Sequence, residues 1–393
     1  MRTFSNATHF MGKGKIIRTG LCVFTAGLIL SINGCHTGSS HSGPQTGENK
    51  PWSFIQIGDL HAGSGLSGPS WTNTLNTILA SNQLWNLKLV ISPGDCYEQD
   101  TNLAKWTDAS PFFPIGGNTE TNGMWRIKKA GISWMNVPGN HDSDVDEADP
   151  TLPHMIHWNN VFGTNFYATD PHWFSNRVAG DTRDLAFRFT NGTAKVMFVG
   201  LRWLDNHVNP PDIKFATTNE VFTAYSTNCA WASNLARAYP DYLIVPVMHY
   251  FMDTNGTPNT KDIPSDPNDQ NGPHVSYVNE GPGVVCWDAL KSAPNLMMIL
   301  SGHVRARPMV RSSLRCDDGH MVDSILFNTQ TAPTIGTNTI ANGGCFVLYT
   351  VYPAQHYVRG RVFEADWGRF LTNGEFSSLG FVNDWTFPFK KLP

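Results

Sequence analysis

Five times along this chain a short apolar run stops directly at a small polar motif built from Gly, Asp, Asn and His. Ser53–Ile57 runs into Gly58-Asp59-Leu60-His61, Leu87–Ser92 into Pro93-Gly94-Asp95, and Ile132–Val137 into Pro138-Gly139-Asn140-His141-Asp142. Tyr242–Met248 stops at His249, and Leu296–Leu300 at Ser301-Gly302-His303. Short apolar runs bounded by turn residues read as strands, and continuous rather than alternating hydrophobicity reads as a sheet covered on both faces. Helical segments fall between them at Trp71–Leu84, at Trp125–Ala130 (the end of a helix) and at Val221–Ala238. Such alternation brings the loops at the carboxyl ends of the strands to one edge, where ligands bind.

The rest of the chain adds antiparallel pieces. Leu185–Phe189 and Ala194–Leu201 flank Asn191-Gly192, a strong hairpin signal. Asp253–Pro282, rich in Asn, Asp, Pro and Gly, reads as a long loop of the kind that forms lids or insertions. Met321–Phe327, Cys345–Val351 and His356–Phe363 read as antiparallel strands. The expected fold is α/β (α+β): a four-layer sandwich of two mixed β-sheets flanked by helices, forming one domain over residues 51–393. With 15% charged residues, 13 Trp, 35 Gly and 25 Pro, the composition is that of a loop-rich globular protein, not a disordered or coiled-coil one.

The N-terminus reads as an export signal. Arg2, Lys13, Lys15 and Arg18 precede the apolar stretch Leu21–Ile32, and no acidic residue occurs before Glu48. A stretch of twelve residues is short of the ~20 that a spanning helix needs, which fits a signal segment over 1–34. Gly34-Cys35 resembles a bacterial lipoprotein cleavage site, so Cys35 is the expected lipid attachment point and 35–50 a flexible linker. The expected location is periplasmic or outer-surface, tethered to the envelope membrane. Five cysteines lie beyond Cys35, widely spaced and without CxxC, which fits scattered buried thiols with room for one disulfide. The net charge is −4; without residues 1–34 it becomes −8, with 24 basic residues (28 less four) against 32 acidic. No general basic field is available to attract nucleic acid.

Asp, His and Asn are ligands for divalent and trivalent metals, and a neighbouring Gly lets backbone turn sharply beside them. Singly, each has an ordinary reading as a helix cap, a turn residue or a core histidine; five such motifs at strand ends do not. The order DxH, GD, GNHD, H and GH resembles the calcineurin-like (purple-acid-phosphatase-like) metallophosphoesterase family over roughly residues 53–305. The resemblance implies a metallo-dependent phosphatase-like fold and two divalent or trivalent ions (Fe, Mn or Zn). It gives Asp59 and His61 to the first ion, Asp95 to both, and Asn140, His249 and His303 to the second. His141 would be the acid that protonates the leaving group, and Asp142 would orient its ring. The expected activity is hydrolysis of small phosphate esters, monoester or diester, through a deprotonated water.

One departure stands out. Where the family has a second histidine after Gly-His, this chain reads Gly302-His303-Val304-Arg305. Arg305 cannot ligate, though its planar guanidinium suits a substrate phosphate. The first site could be looser, could be completed by another residue, or the protein could work with one ion or none. A binding protein on the same fold is therefore the rival expectation, and a phosphodiesterase or nuclease the third. His154, His157, His172 and His274, like the aromatic pair Phe112 and Phe113, read as surface or packing residues. Arg202 and Asp205 follow a strand and are placed near the site by that alone. Arg305, Arg307, Arg311 and Arg315 read as a solvated strand or loop.

Overall fold

The first strand, β1 (Trp52–Ile57), is buried along its whole length, as its apolar run requires. In the computed structural model it lies in a seven-stranded mixed sheet, between β2 (Leu87–Ser92) and β13 (Cys345–Tyr352). The structure describes residues 49–62, 67–97, 123–139, 142, 158, 161–202, 218–259, 282–304, 308–330, 334–335, 338–372, 375 and 383–392. Asn140, His141, Arg305 and Cys35, with the signal segment, fall outside these residues, as do Phe112, Phe113, His154, His157, Asp205, His274, Arg307 and most of the expected 253–282 loop. Residues 45–393 cluster as one compact unit.

In the first sheet β1, β2 and β3 (Ser133–Asn136) run parallel, and β13 closes antiparallel on β1. Beyond β13 come β14 (Tyr357–Glu364) and the short β15 (Arg369–Phe370), with β16 (Asp384–Pro388) also pairing β14. The second sheet has the order β4-β5-β6-β7-β8-β10-β9. Its strands are β4 (Trp173–Val178), β5 (Asp181–Asn191), β6 (Ala194–Leu201), β7 (Leu243–Met248), β8 (Met298–Ser301), β9 (Met309–Arg315) and β10 (Met321–Phe327). β5 and β6 form the expected hairpin, with Gly192 at φ 59° in the turn. β11 (Thr334–Ile335) and β12 (Asn338–Thr339) make a separate two-stranded ladder.

Met321–Phe327, expected as an antiparallel strand, pairs antiparallel with β9 along its whole length, and on its other side β10 also pairs in parallel with β8. Its apolar residues are compatible with either direction, and the parallel partner lies before β9 in the chain.

Alternation assigns the faces of the second sheet. Val196 and Phe198, Val245 and Val247, Met298 and Leu300, and Ile325 and Phe327 point into the core shared with the first sheet. Met197, Val199, Ile244, Ile299 and Leu326 point the other way, onto α3 (Thr218–Ala238) and α4 (Pro282–Leu290). Between the sheets Phe54 meets Phe198 edge-on at 4.9 Å and Trp52 stacks on Phe189 at 5.8 Å. On the outer face of the first sheet lies α1 (Gly68–Trp85), whose Trp71 meets Trp134 and whose Trp85 meets Phe346. Ser67 caps its start and Asn86, in a left-handed conformation, its end. The short α2 (Gly123–Lys129) is tied to α1 by Arg126 and Asn76, at 2.9 Å. A disulfide, Cys229–Cys286, joins α3 to α4; Cys96, Cys316 and Cys345 are buried free thiols. Among the described residues no helix is long and apolar enough to cross a membrane.

Candidate metal centre

The two sheets are pinned to each other at one edge. Gln56, near the end of β1, donates to the Ser301 carbonyl at the end of β8 (2.9 Å) and accepts from the Tyr349 hydroxyl (2.8 Å). Next along the chain from Gln56 and Ser301 come the loops that carry Asp59 and His303. Hydrogen bonds stitch these loops together beyond the strands: His61 N–H to Asp95 O (2.9 Å), Ala62 N–H to Cys96 O (3.0 Å), and Gly302 N–H to His249 O (2.9 Å). The strand-end motifs of both sheets therefore meet.

Two trios of side chains each bring ligating atoms within 4.8 Å of one another: Asp59, His61 and Asp95, and Asp95, His249 and His303. Asp95 belongs to both. Its Oδ2 lies 3.3 Å from His61 Nε2 and 3.1 Å from His249 Nε2. His303 Nδ1 is 3.0 Å from His249 Nε2, and His249 Nδ1 faces the Pro93 carbonyl at 3.2 Å. With a proton on Nδ1 donated to that carbonyl, His249 Nε2 carries a lone pair toward the cluster, the usual arrangement of a ligating histidine. Asp59 accepts through Oδ2 from the His303 N–H (2.7 Å), while its buried Oδ1 has no hydrogen-bond partner among the described residues. A buried carboxylate oxygen left bare in a histidine cluster is what a cation would satisfy.

The backbone is shaped for this convergence. His61, Asp95 and His303 have φ of 47°, 48° and 69°, a left-handed region that few non-glycine residues enter. Gly94, at φ 134°, has no room for a side chain: a Cβ there would lie 2.2 Å from His249 Nδ1. At Gly139 a Cβ would lie 2.2 Å from Asp95 Oδ1, and at Gly302 2.2 Å from Asp59 Oδ1. The glycines beside the ligands are thus needed chiefly for close approach.

Burial dominates the electrostatics. It pushes the Asp59 carboxyl up to about 6, opposed by His249 and reinforced by Asp95. It pushes Asp142 up to about 7, with Asp95 adding to the effect. Burial disfavours a charged His249, but the carboxylates of Asp95, Asp59 and Asp142 together outweigh it and the net shift is upward. Without a cation, clustered acids hold protons; a cation would replace them.

Of the residues expected from the sequence, Asp59, His61, Asp95, His249 and His303 come together. Asp142 stands beside them as a clasp: its oxygens accept from Gly139 N–H (2.8 Å) and Tyr97 N–H (2.9 Å), tying the β3 loop to the β2 loop. Arg202 does not offer its charge to the site. It is buried and paired with Asp184 and Asp181, each at 2.6 Å. Arg311 pairs with Asp323 (2.7 Å), and His172 stacks on Phe189 with Nδ1 against the Arg188 carbonyl. Sequence reasoning missed Asn328, whose Nδ2 donates to Asp59 Oδ2 at 2.6 Å. It follows a strand, the one signal it shares with the others, but the parallel pairing of that strand with β8 was not read from the sequence. Gln56 was missed as well, as a lone polar residue in an apolar strand.

No family model matches the chain, and no curated protein matches it. A solved structure described as GAP50, the anchor in the inner membrane complex of Plasmodium, superposes with a TM-score of 0.44 at 11% identity, covering 87% of this chain and 90% of that one. A likeness of that degree carries no functional argument.

Proposed function

We propose that this protein is a metal-dependent phosphoesterase with a dinuclear centre on a metallophosphatase-like sandwich. The observation that carries the proposal is the pair of Asp/His trios sharing Asp95. Asp59, His61 and Asp95 would hold one ion; Asp95, His249, His303 and, by the sequence resemblance, Asn140 would hold the other. The donor set, carboxylate and imidazole, suits Fe, Mn or Zn. Such ions supply Lewis-acid charge against phosphate oxygens and a water deprotonated near neutral pH. The chain's own residues do the rest. Asp95 sets the spacing of the two positions by standing in both. His249 is oriented by Pro93, and the β2 and β3 loops are locked by Asp142. His141, next to that clasp in sequence, is the candidate proton donor to the leaving oxygen, and Arg305 the candidate contact to a substrate phosphate.

The N-terminal pattern supports export with lipid attachment at Cys35. The Cys229–Cys286 disulfide supports the same reading, because disulfides persist chiefly in oxidising compartments. A small ester fits the net charge of −8 on residues 35–393 better than a long polyanion. Arg305, standing where the resemblance has a ligand, favours the rival reading of a binding protein.

One experiment separates the two. Protein purified without chelator is assayed for metal content and for hydrolysis of p-nitrophenyl phosphate and bis-p-nitrophenyl phosphate. The enzyme reading expects about two ions per chain and a fall in turnover of about 10² to 10⁴-fold in His141→Ala. Metal near zero, with no turnover after Mn, Zn or Fe is added, leaves only the binding protein.

A further inference from the structure

The Asp59 carboxylate is held asymmetrically. Oδ2 receives two donors, the His303 N–H at 2.7 Å and the Asn328 amide at 2.6 Å, while the buried Oδ1 receives none among the described residues. Asn328 is itself fully buried and fixed from both ends. Its backbone N–H donates to Pro308 O (2.9 Å), and its Oδ1 accepts from the Gln330 N–H (2.8 Å). That second bond settles the amide orientation, since only the oxygen can accept it. The register explains why Asn328 reaches this place: Leu326 of β10 pairs in parallel with Ser301 of β8, so both strands end at the same level. Gly302 leaves the space beside Oδ1 open to the carboxylate, where a Cβ would come within 2.2 Å.

We propose that Asn328 is a positioning residue that locks Asp59 as a single-oxygen ligand, with Oδ1 turned into the cluster. The proposal rests on the metal-centre reading above and extends it to a residue no motif marks. Two N–H donors on Oδ2 stop the carboxylate from rotating to chelate through both oxygens, and keep its charge where a cation needs it. The consequence is largest at the first site. With Arg305 in the motif's last place, that site draws on Asp59, His61 and Asp95, so loosening Asp59 affects one of three protein ligands. The second site does not use Asp59.

The test is calorimetric titration of the metal-free full-length protein with Mn²⁺ and with Zn²⁺, comparing wild type with N328L and N328S. N328L keeps the volume and removes the donor; N328S is smaller, with a hydroxyl too short to replace the amide. Loss of an outer contact to a metal ligand typically costs about 10 to 100-fold in affinity. The expected result is a loss of that size for one of two bound ions, in both variants, with the other ion unaffected. The contrast between sites is the discriminating readout, because a damaged fold weakens both together. Equal weakening of both ions, or no weakening of either, overturns the role given to Asn328 and leaves the metal centre standing. Wild-type protein that binds neither ion overturns the metal centre itself, and this inference with it.

Discussion

His61, Asp95 and His303 occupy backbone that costs an L-residue roughly 1–2 kcal/mol each. Among the described residues only Asn86 and His356 share that property, and both follow a helical turn, where such a conformation ends the turn naturally. Strain concentrated at a cluster of side chains able to ligate a metal is the pattern expected of a functional site. The glycines beside it give a direct check. Gly139→Ala would drive a methyl group into Asp95, with backbone as well as side chain in the way. The expected cost is about 1–3 kcal/mol in urea unfolding, together with loss of bound metal. Gly131→Ala is the control: its φ of 76° makes it strained too, but none of the described residues has an atom within 4 Å of the added Cβ. It should cost roughly 1–2 kcal/mol and leave metal content unchanged. If Gly139→Ala keeps its full metal complement, the close packing described around Asp95 is wrong.

At the level of elements, the parallel strands were legible because burial on both faces forces continuous apolar sequence. β1, β2, β3, β7 and β8 all announce themselves this way, and each ends at a ligand motif. β4 was not legible: its residues WFSNRV are half-exposed, so neither an apolar run nor alternation develops. β10 was found, with its antiparallel pairing to β9, but its parallel pairing to β8 was not read, because the local sequence of a buried strand does not name its second partner. Asn328 went unseen for the same reason. α1, α2 and α3 were found within a few residues, with α1 starting earlier than Trp71 because Ser67 and Pro69 make a capped start, whereas α4 was not read from the sequence. That Cys229 pairs with Cys286 was beyond reach, since spacing alone does not choose among five thiols. The bond closes a loop of 57 residues and should contribute about 4 kcal/mol on the chain-entropy account. Cys229→Ser/Cys286→Ser should therefore lower the urea midpoint strongly, while metal affinity in the remaining folded protein is unchanged, because α3 and α4 pack on the face away from the first sheet.

For the whole molecule, the acids of the site set a pH dependence. Asp59 and Asp142 are held up to about 6 and about 7, above the ordinary carboxylate range, so the metal-free native state keeps protons that the unfolded chain releases near pH 4. Glu364, raised to about 7 by burial, has the same sign, as does His249. Groups raised in this way stabilise at low pH, and their contribution is lost as pH rises through the folded values. Metal-free protein should thus melt at a higher temperature at pH 5 than at pH 8. Metal competes with those protons, so added Mn²⁺ should raise the melting temperature far more at pH 8 than at pH 5. A metal-free melting temperature that climbs from pH 5 to pH 8 would show that the cluster does not hold protons. The Asn328–Asp59 hydrogen bond has a different consequence. Its partners are 269 residues apart, so it joins the first strand of the core to the end of β10. During synthesis, Asp59 emerges early and must wait for most of the remaining chain before its carboxylate is fixed. If the proposed centre binds metal, any cation captured before then would meet a site without its final shape, and loading with the correct ion would be a late event in the life of the molecule, after the last strands of the second sheet have docked.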